Sequence, residues 1–184
     1  ESRGLGDVYK RQTVERALYV DIDTIFNRDI SPMYESEFGD CLIAGVFTTE
    51  DLSEESFSRW KREMNLDRDS IYINAGVILY HIGRIREECF ESQVLSWAKN
   101  NIHRLSWQDQ DILNVCYQQR ILLLHPMWNI CDGAIWSIRW EGVTSFRNNP
   151  LKPADLLEAA RRPGIIHYLS LIHISEPTRL DVIS

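Results

Sequence analysis

Leu18-Tyr19-Val20-Asp21-Ile22-Asp23 closes an apolar run with two carboxylates one residue apart. Residues at i and i+2 on a strand share one side, so where the strand stops the two acids can converge on one cation. Oxygen donors suit a hard divalent ion such as Mn²⁺ or Mg²⁺, and that ion completes its shell with phosphate oxygens. Open α/β sheets bind ligands beyond the carboxyl ends of their strands. The stretch therefore predicts an α/β fold with a metal holding a phosphorylated substrate at a sheet edge.

Outward from it, the pattern alternates. Ala17–Ile22 reads as a buried strand, rich in β-formers. Ser31 is the expected N-cap of a short helix with Pro32 at its first position. Cys41–Phe47 is short and wholly apolar, as a central strand is. Thr48–Asn65 is charged, with Phe57, Trp60 and Met64 at helical spacing, and predicts a surface helix. Ile71–Ile82 is a long apolar segment interrupted by Asn74-Ala75-Gly76, which predicts a bulge or a close backbone approach to a ligand. One long helix is expected over Gly83–Asn100, with Ile85, Cys89, Val94 and Trp97 near one face, and another over Gln108–Gln118. Ile121–Leu124 is a short buried strand, and Asn129–Asn149 is irregular although Trp136 and Trp140 stand four apart. Pro153–Arg161 reads as a helix, and Gly164–Tyr168 as a closing strand that bears His167. Strands alternating with helices make the class α/β, with a mostly parallel or mixed sheet flanked by helices.

The bulk properties narrow the function. A chain of 184 residues with 44% hydrophobic content suffices for one domain with a real core. A net charge of −7 and no run of Lys or Arg argue against nonspecific nucleic-acid binding. No apolar stretch approaches the ~20 residues that cross a bilayer. Cys41, Cys89, Cys116 and Cys131 lack C-x-x-C spacing and are expected to be buried, reduced thiols, which fits a cytoplasmic setting. Glu1–Gln12 and Leu171–Ser184 carry no periodicity that joins their neighbours; they read as translated sequencing adapter and are set aside, leaving residues 13–170 as the domain.

Four islands stand out: Tyr19-Val20-Asp21-Ile22-Asp23, Tyr72-Ile73-Asn74-Ala75-Gly76-Val77, Trp107-Gln108-Asp109-Gln110-Asp111-Ile112-Leu113-Asn114 and Ile166-His167-Tyr168. Their order and spacing resemble glycosyltransferase family 8, retaining transferases of the GT-A fold related to lipopolysaccharide galactosyl- and glucosyltransferases and to glycogenin. The resemblance covers nearly all of Ala17–Tyr168. It implies a hexose moved from UDP-glucose or UDP-galactose to a glycan or glycolipid acceptor, in lipopolysaccharide or surface-polysaccharide synthesis. By matching motif, Asp21, Asp23 and His167 would bind Mn²⁺ or Mg²⁺, with Asp21 also near the ribose. Asn74 and Ala75, in the Asn74-Ala75-Gly76 segment, would line the donor-sugar and acceptor region. Asp109 would hydrogen-bond sugar hydroxyls, and Gln110 would set its side-chain carbonyl beneath the anomeric carbon. Asp111 keeps a structural reading, an acid favoured in the first turn of a helix.

The same resemblance implies an amino-terminal nucleotide-binding half and a closing Lys-Pro-Trp segment that are not in this sequence. The expectation is therefore an inactive fragment, and any peripheral membrane contact would belong to a missing carboxyl tail. Two other readings compete. Asp21-Ile22-Asp23-Thr24-Ile25 also resembles the opening of haloacid dehalogenase-type phosphatases, but no paired-Asp motif follows downstream. A non-catalytic carbohydrate-binding relative would not need Asp21, Asp23, Asp109, Gln110 and His167 intact.

Overall fold

The computed structural model describes residues 14–48, 54–66, 70–140 and 151–168. In chain order the elements are β1 (Ala17–Val20), β2 (Thr24–Phe26), α1 (Ser31–Tyr34), β3 (Ile43–Phe47), α2 (Glu54–Glu63), β4 (Ile73–Tyr80), α3 (Ile82–Glu87), α4 (Phe90–Asn101), α5 (Gln108–Cys116), β5 (Ile121–Leu123), β6 (Ile130–Cys131), α6 (Asp132–Trp140), α7 (Pro153–Arg161) and β7 (Ile165–His167). Four strands form a sheet in the order β1-β4-β3-β5, and three form a second in the order β2-β7-β6. β3/β5 and β6/β7 pair parallel, while β1/β4, β3/β4 and β2/β7 pair antiparallel. The sheets are mixed, as expected, with a larger antiparallel share than the alternation of elements conveys.

The larger sheet is covered on both faces. Ala44 and Val46 of β3 and Val77 and Leu79 of β4 join Met33, Phe38, Leu124, Trp128 and Ile165 on one side. Ile43, Ile73 and Ile78 point the other way, toward Leu42, Tyr117 and Ile121. A strand buried on both faces has no polar alternation, which is why Cys41–Phe47 reads as an unbroken apolar run. Each such Ile, Val or Leu removed from water contributes about 1.5–3 kcal/mol. Trp60 and Met64 of the α2 region bury against Phe47 and Tyr72, so that region packs on the core by its apolar stripe.

Several local expectations need correction. β1 stops at Val20, so the two acids sit on the turn into β2 and converge through that turn rather than through strand pleating. Ile30 takes the cap position of α1, and Asp29 Oδ1 accepts from the Ser31 N–H at 2.9 Å and the Ser31 hydroxyl at 2.7 Å. The long helix over Gly83–Asn100 is broken at Cys89, whose φ of 51° is left-handed. The break has a packing reason: Ile85 and Phe90 stand five apart, a spacing no single helix face holds, and the kink brings both into the Tyr117 cluster. It also leaves Cys89 exposed and, with Cys41 and Cys116 half-buried, Cys131 is the one buried thiol. Within the stretch read as irregular, residues 130–140 form β6 and α6, and 141–149 lie outside the described residues. The side chains of Trp136 and Trp140 lie outside the described residues, as do Glu1–Gln12 and Leu171–Ser184.

The interruption at Asn74-Ala75-Gly76 is real. Gly45 faces Ile78 while Phe47 faces Ile73, so residues 74–77 of β4 stand against Val46 alone. This irregularity carries the site.

Candidate metal centre

Asp21 is held where β1 ends: its N–H donates to the Gly76 carbonyl at 2.8 Å. The Thr24 hydroxyl donates back to the Asp21 carbonyl at 2.8 Å and closes the turn. Tyr168 N–H donates to the Asp23 carbonyl at 2.9 Å, and Thr24 pairs with His167 in the smaller sheet. The turn between β1 and β2 is thus fastened to β4 on one side and to β7 on the other. The result brings His167 Nε2 to 3.5 Å from Asp21 Oδ2 and 3.3 Å from Asp23 Oδ1.

Asp21, Asp23 and His167 are the only group of three such ligands among the described residues, with ligand atoms all within 4.8 Å of one another. The two carboxylates are about a third exposed while the imidazole is 2% exposed, so one side is walled and the other open. Like charges brought to one point repel, and a cation between them removes the conflict. The remaining space comes from Gly76. A Cβ there would run into His167 Cε1, lie 2.6 Å from Nδ1 and 2.9 Å from Asp21 Oδ2. Two oxygens, one nitrogen and an open side fit a divalent ion that shares its shell with another ligand.

The surroundings are polar and ordered. Tyr19 hydroxyl donates to Asp21 Oδ1 at 2.7 Å. That hydrogen bond, with partial burial and the charges of Asp21, Asp109 and Asp23, pushes the Tyr19 phenol up to about 12 and keeps it a donor. His167 Nδ1 lies 3.1 Å from Asn129 Oδ1; Asn129 Nδ2 donates to Asn74 Oδ1 at 2.9 Å, which also accepts from Gly76 N–H at 2.9 Å.

Helix α5 reaches the same segment of β4. Gln110 Oε1 accepts from Ala75 N–H at 2.8 Å, and its Nε2 donates to the Tyr72 hydroxyl at 3.0 Å. Asp109 is exposed, with Oδ1 accepting from Gln110 N–H at 3.0 Å. Asp111 is fully buried: Oδ2 accepts from the N–H groups of Ser106 and Trp107 at 2.6 and 2.8 Å, and Oδ1 from the Tyr72 hydroxyl at 3.2 Å. Asp111 is structural, as expected, although it ties down the preceding loop rather than answering the helix dipole. Asn114 Oδ1 accepts from Ile73 N–H at 2.7 Å and Nδ2 donates to Ile73 carbonyl at 2.8 Å; Gln118 repeats the clasp on Ile71 at 2.8 and 3.0 Å.

The structure thus joins Asp21, Asp23 and His167 directly, and ties Asn74, Ala75 and Gln110 to them through three consecutive residues of β4. The reading from residues alone missed Tyr19, Asn114 and Asn129. Tyr19 had a signal, since position i−2 shares a strand side with Asp21. Asn129, at the start of a stretch read as irregular, had none.

A sequence profile described as Glycosyl transferase family 8 matches residues 5–171. Among curated proteins, General stress protein A of Bacillus subtilis (strain 168) is 27% identical over 164 residues, 88% of this chain and 53% of that protein. Lipopolysaccharide 1,2-glucosyltransferase of Escherichia coli (strain K12) is 27% identical over 119 residues, 64% of this chain and 34% of that protein. Among solved structures, the galactosyltransferase LgtC in complex with donor and acceptor sugar analogs superposes with a TM-score of 0.69 at 21% identity, covering 89% of this chain and 58% of LgtC. The chain spans about half, or less, of the length of the curated relatives it matches. Likeness at this identity carries the fold, which is the GT-A fold expected from the four islands.

Proposed function

The chain belongs to glycosyltransferase family 8, and we propose that it carries the metal- and sugar-handling part of a retaining enzyme that moves glucose or galactose from a UDP-sugar to a glycan or glycolipid acceptor. The observation that carries this reading is the convergence of Asp21, Asp23 and His167, from chain positions far apart, at 3.3–3.5 Å. A glucosyltransferase of lipopolysaccharide and a galactosyltransferase among the similar proteins support a hexose donor and a surface-glycan acceptor.

Asp21 and Asp23 supply the oxygens and His167 Nε2 the nitrogen for Mn²⁺ or Mg²⁺. When bound, such an ion neutralises the charge that develops on a departing nucleoside diphosphate. Gln110 offers a carbonyl dipole. One lone pair of its oxygen is taken by Ala75 N–H, and a carbonyl oxygen has a second. Both ends of the amide are held in place, so it can face positive charge on the reacting sugar carbon with no reorganisation. An amide is a poor nucleophile, which favours attack by the acceptor from the face the diphosphate leaves. Asp109, exposed beside it, is free to accept from sugar hydroxyls, and Asn74 and Ala75 bring backbone close to the donor.

The test is metal-dependent binding of UDP-glucose and UDP-galactose, followed by calorimetry with Mn²⁺ and by saturation-transfer NMR with diamagnetic Mg²⁺. One of the two sugars is expected to bind with Mn²⁺ and to be released by EDTA, and Asp23→Asn is expected to remove both metal uptake and sugar binding. Unchanged metal uptake in Asp23→Asn would overturn the reading. Phosphate release from p-nitrophenyl phosphate, without UDP-sugar binding, would favour the phosphatase instead.

A further inference from the structure

The Gly76 N–H is a backbone group, so its direction as a donor is not a matter of assignment. It points at Asn74 Oδ1 at 2.9 Å, and this fixes which end of the Asn74 amide is oxygen. An oxygen there can be approached at 2.9 Å by Asn129 only through its amide nitrogen. The Asn129 oxygen is thereby turned toward His167 Nδ1, 3.1 Å away. An oxygen facing a ring nitrogen at that distance requires the proton on Nδ1. Asn74, Asn129 and His167 are all buried, so no bulk water competes for these groups.

We propose that Asn129, oriented by Asn74, is a positioning residue that keeps the His167 proton on Nδ1 and so presents the Nε2 lone pair to the cation. The inference rests on the metal reading for its purpose, though not for its geometry. Without the relay, the Asp21 and Asp23 oxygens at 3.5 and 3.3 Å would draw the proton of a neutral ring to Nε2, where it would block coordination. A backbone N–H on β4 therefore sets the tautomer of an imidazole on β7, through two side-chain amides. Groups that orient a metal-bound histidine in this way typically change metal affinity 10–100-fold when removed.

The experiment uses the full chain in two measurements. Nitrogen-15 NMR of the imidazoles, with and without Mg²⁺, reads the His167 tautomer. Titration with Mn²⁺, with the free ion followed by electron paramagnetic resonance, reads affinity. The wild type is expected to show a hydrogen-bonded Nδ1–H on His167 in both states. Asn129→Leu is expected to lose that resonance and to weaken Mn²⁺ binding on the order of 10–100-fold. Asn129→Asp keeps an oxygen for Nδ1–H, although its second oxygen meets Asn74 Oδ1, and is expected to be less stable than the wild type yet to retain the Nδ1–H resonance that the Leu variant loses. An unprotonated Nδ1 in the wild type would overturn the proposal, and so would a folded Asn129→Leu that binds Mn²⁺ like the wild type. Should the Leu variant not fold, the wild-type spectrum and the Asp variant decide. Should the wild type take up no Mn²⁺, the metal reading falls by itself, and the wild-type tautomer still decides the role of Asn129.

Discussion

Gly76 has no side chain because the His167 ring occupies the place of one. Gly76→Ala would set a Cβ 2.6 Å from Nδ1 and 2.9 Å from Asp21 Oδ2, against an imidazole that is itself buried and hydrogen-bonded to Asn129. It is expected to cost about 1–3 kcal/mol, as overpacking does, and to weaken Mn²⁺ uptake more than the stability loss alone accounts for. Thermal unfolding beside metal titration measures both; a variant with wild-type metal affinity would show that the ring needs no such space. Asp111 tests the opposite case, a buried charge with a structural task. Asp111→Ala takes the acceptor from two backbone N–H groups and from the Tyr72 hydroxyl, which keeps the Gln110 amide, and is expected to destabilise by about 2–4 kcal/mol. Its effect on Mn²⁺ affinity in the remaining folded protein should be small. The thiols divide in the same local terms. Burial pushes the Cys116 thiol up to about 11, whereas Cys89 is exposed. Alkylation near pH 8 should label Cys89 first, read by mass spectrometry, because the thiolate is the nucleophile.

At the scale of elements, α5 and β4 are joined by a ladder of side-chain amides. Gln110 and Asn114 of α5 and Gln118, in the turn just past its end, stand four apart and bond Ala75, Ile73 and Ile71, every second residue along the segment that leads into and opens β4. Four residues of helix advance about 6 Å, and two residues of strand about 6.6 Å, so the two periods match over this length. The ladder satisfies strand N–H groups that no neighbouring strand reaches, and it carries Gln110 to the segment that also carries Gly76. Asn114→Leu is expected to cost about 2–3 kcal/mol by leaving the Ile73 N–H and carbonyl unpaired in the core. Hydrogen exchange at the Ile73 amide should accelerate in that variant. Slow exchange there would mean that another group pairs it. The irregular pairing of β4 with β3 was legible from Asn74-Ala75-Gly76; the ladder was not, because Asn114 and Gln118 look like ordinary polar positions on an amphipathic helix.

For the molecule as a whole, the titrating groups define a stability window. Burial holds Cys116 up at about 11 and, as the largest effect, holds Tyr117 up at about 12, against ordinary values of 9.0 and 10.0. The unfolded chain gives up these protons at lower pH than the folded one, so stability is full below about 9 and falls as pH rises through the folded values. On the acid side, the hydrogen bond from Arg120 holds the Glu88 carboxyl below its ordinary value. Its contribution is present above the unfolded pKa and is lost as pH falls through the folded one. Glu88 is exposed, so salt should shrink that acid limb while leaving the alkaline limb intact. Urea unfolding followed from pH 3 to 11 at low and high salt measures both limbs. An alkaline limb as salt-sensitive as the acid one would remove burial as its cause.

The sequence by itself determined the kinds of element and the identity of the acids at the end of β1. Apolar runs and their periods record a tendency to be buried, and hydrophobicity is a property each residue carries locally. It also carried the four islands, and with them the family. Only the tertiary structure decided that α3 and α4 part at Cys89, that residues 130–140 form β6 and α6, and that Asn129 stands behind His167. Those outcomes depend on partners 27 to 55 positions away, from Phe90 on Tyr117 to Asn129 on Asn74, and a contact between distant side chains leaves no period in the chain. Hydrophobic pattern tells a residue which side to face; folding alone decides what is waiting there.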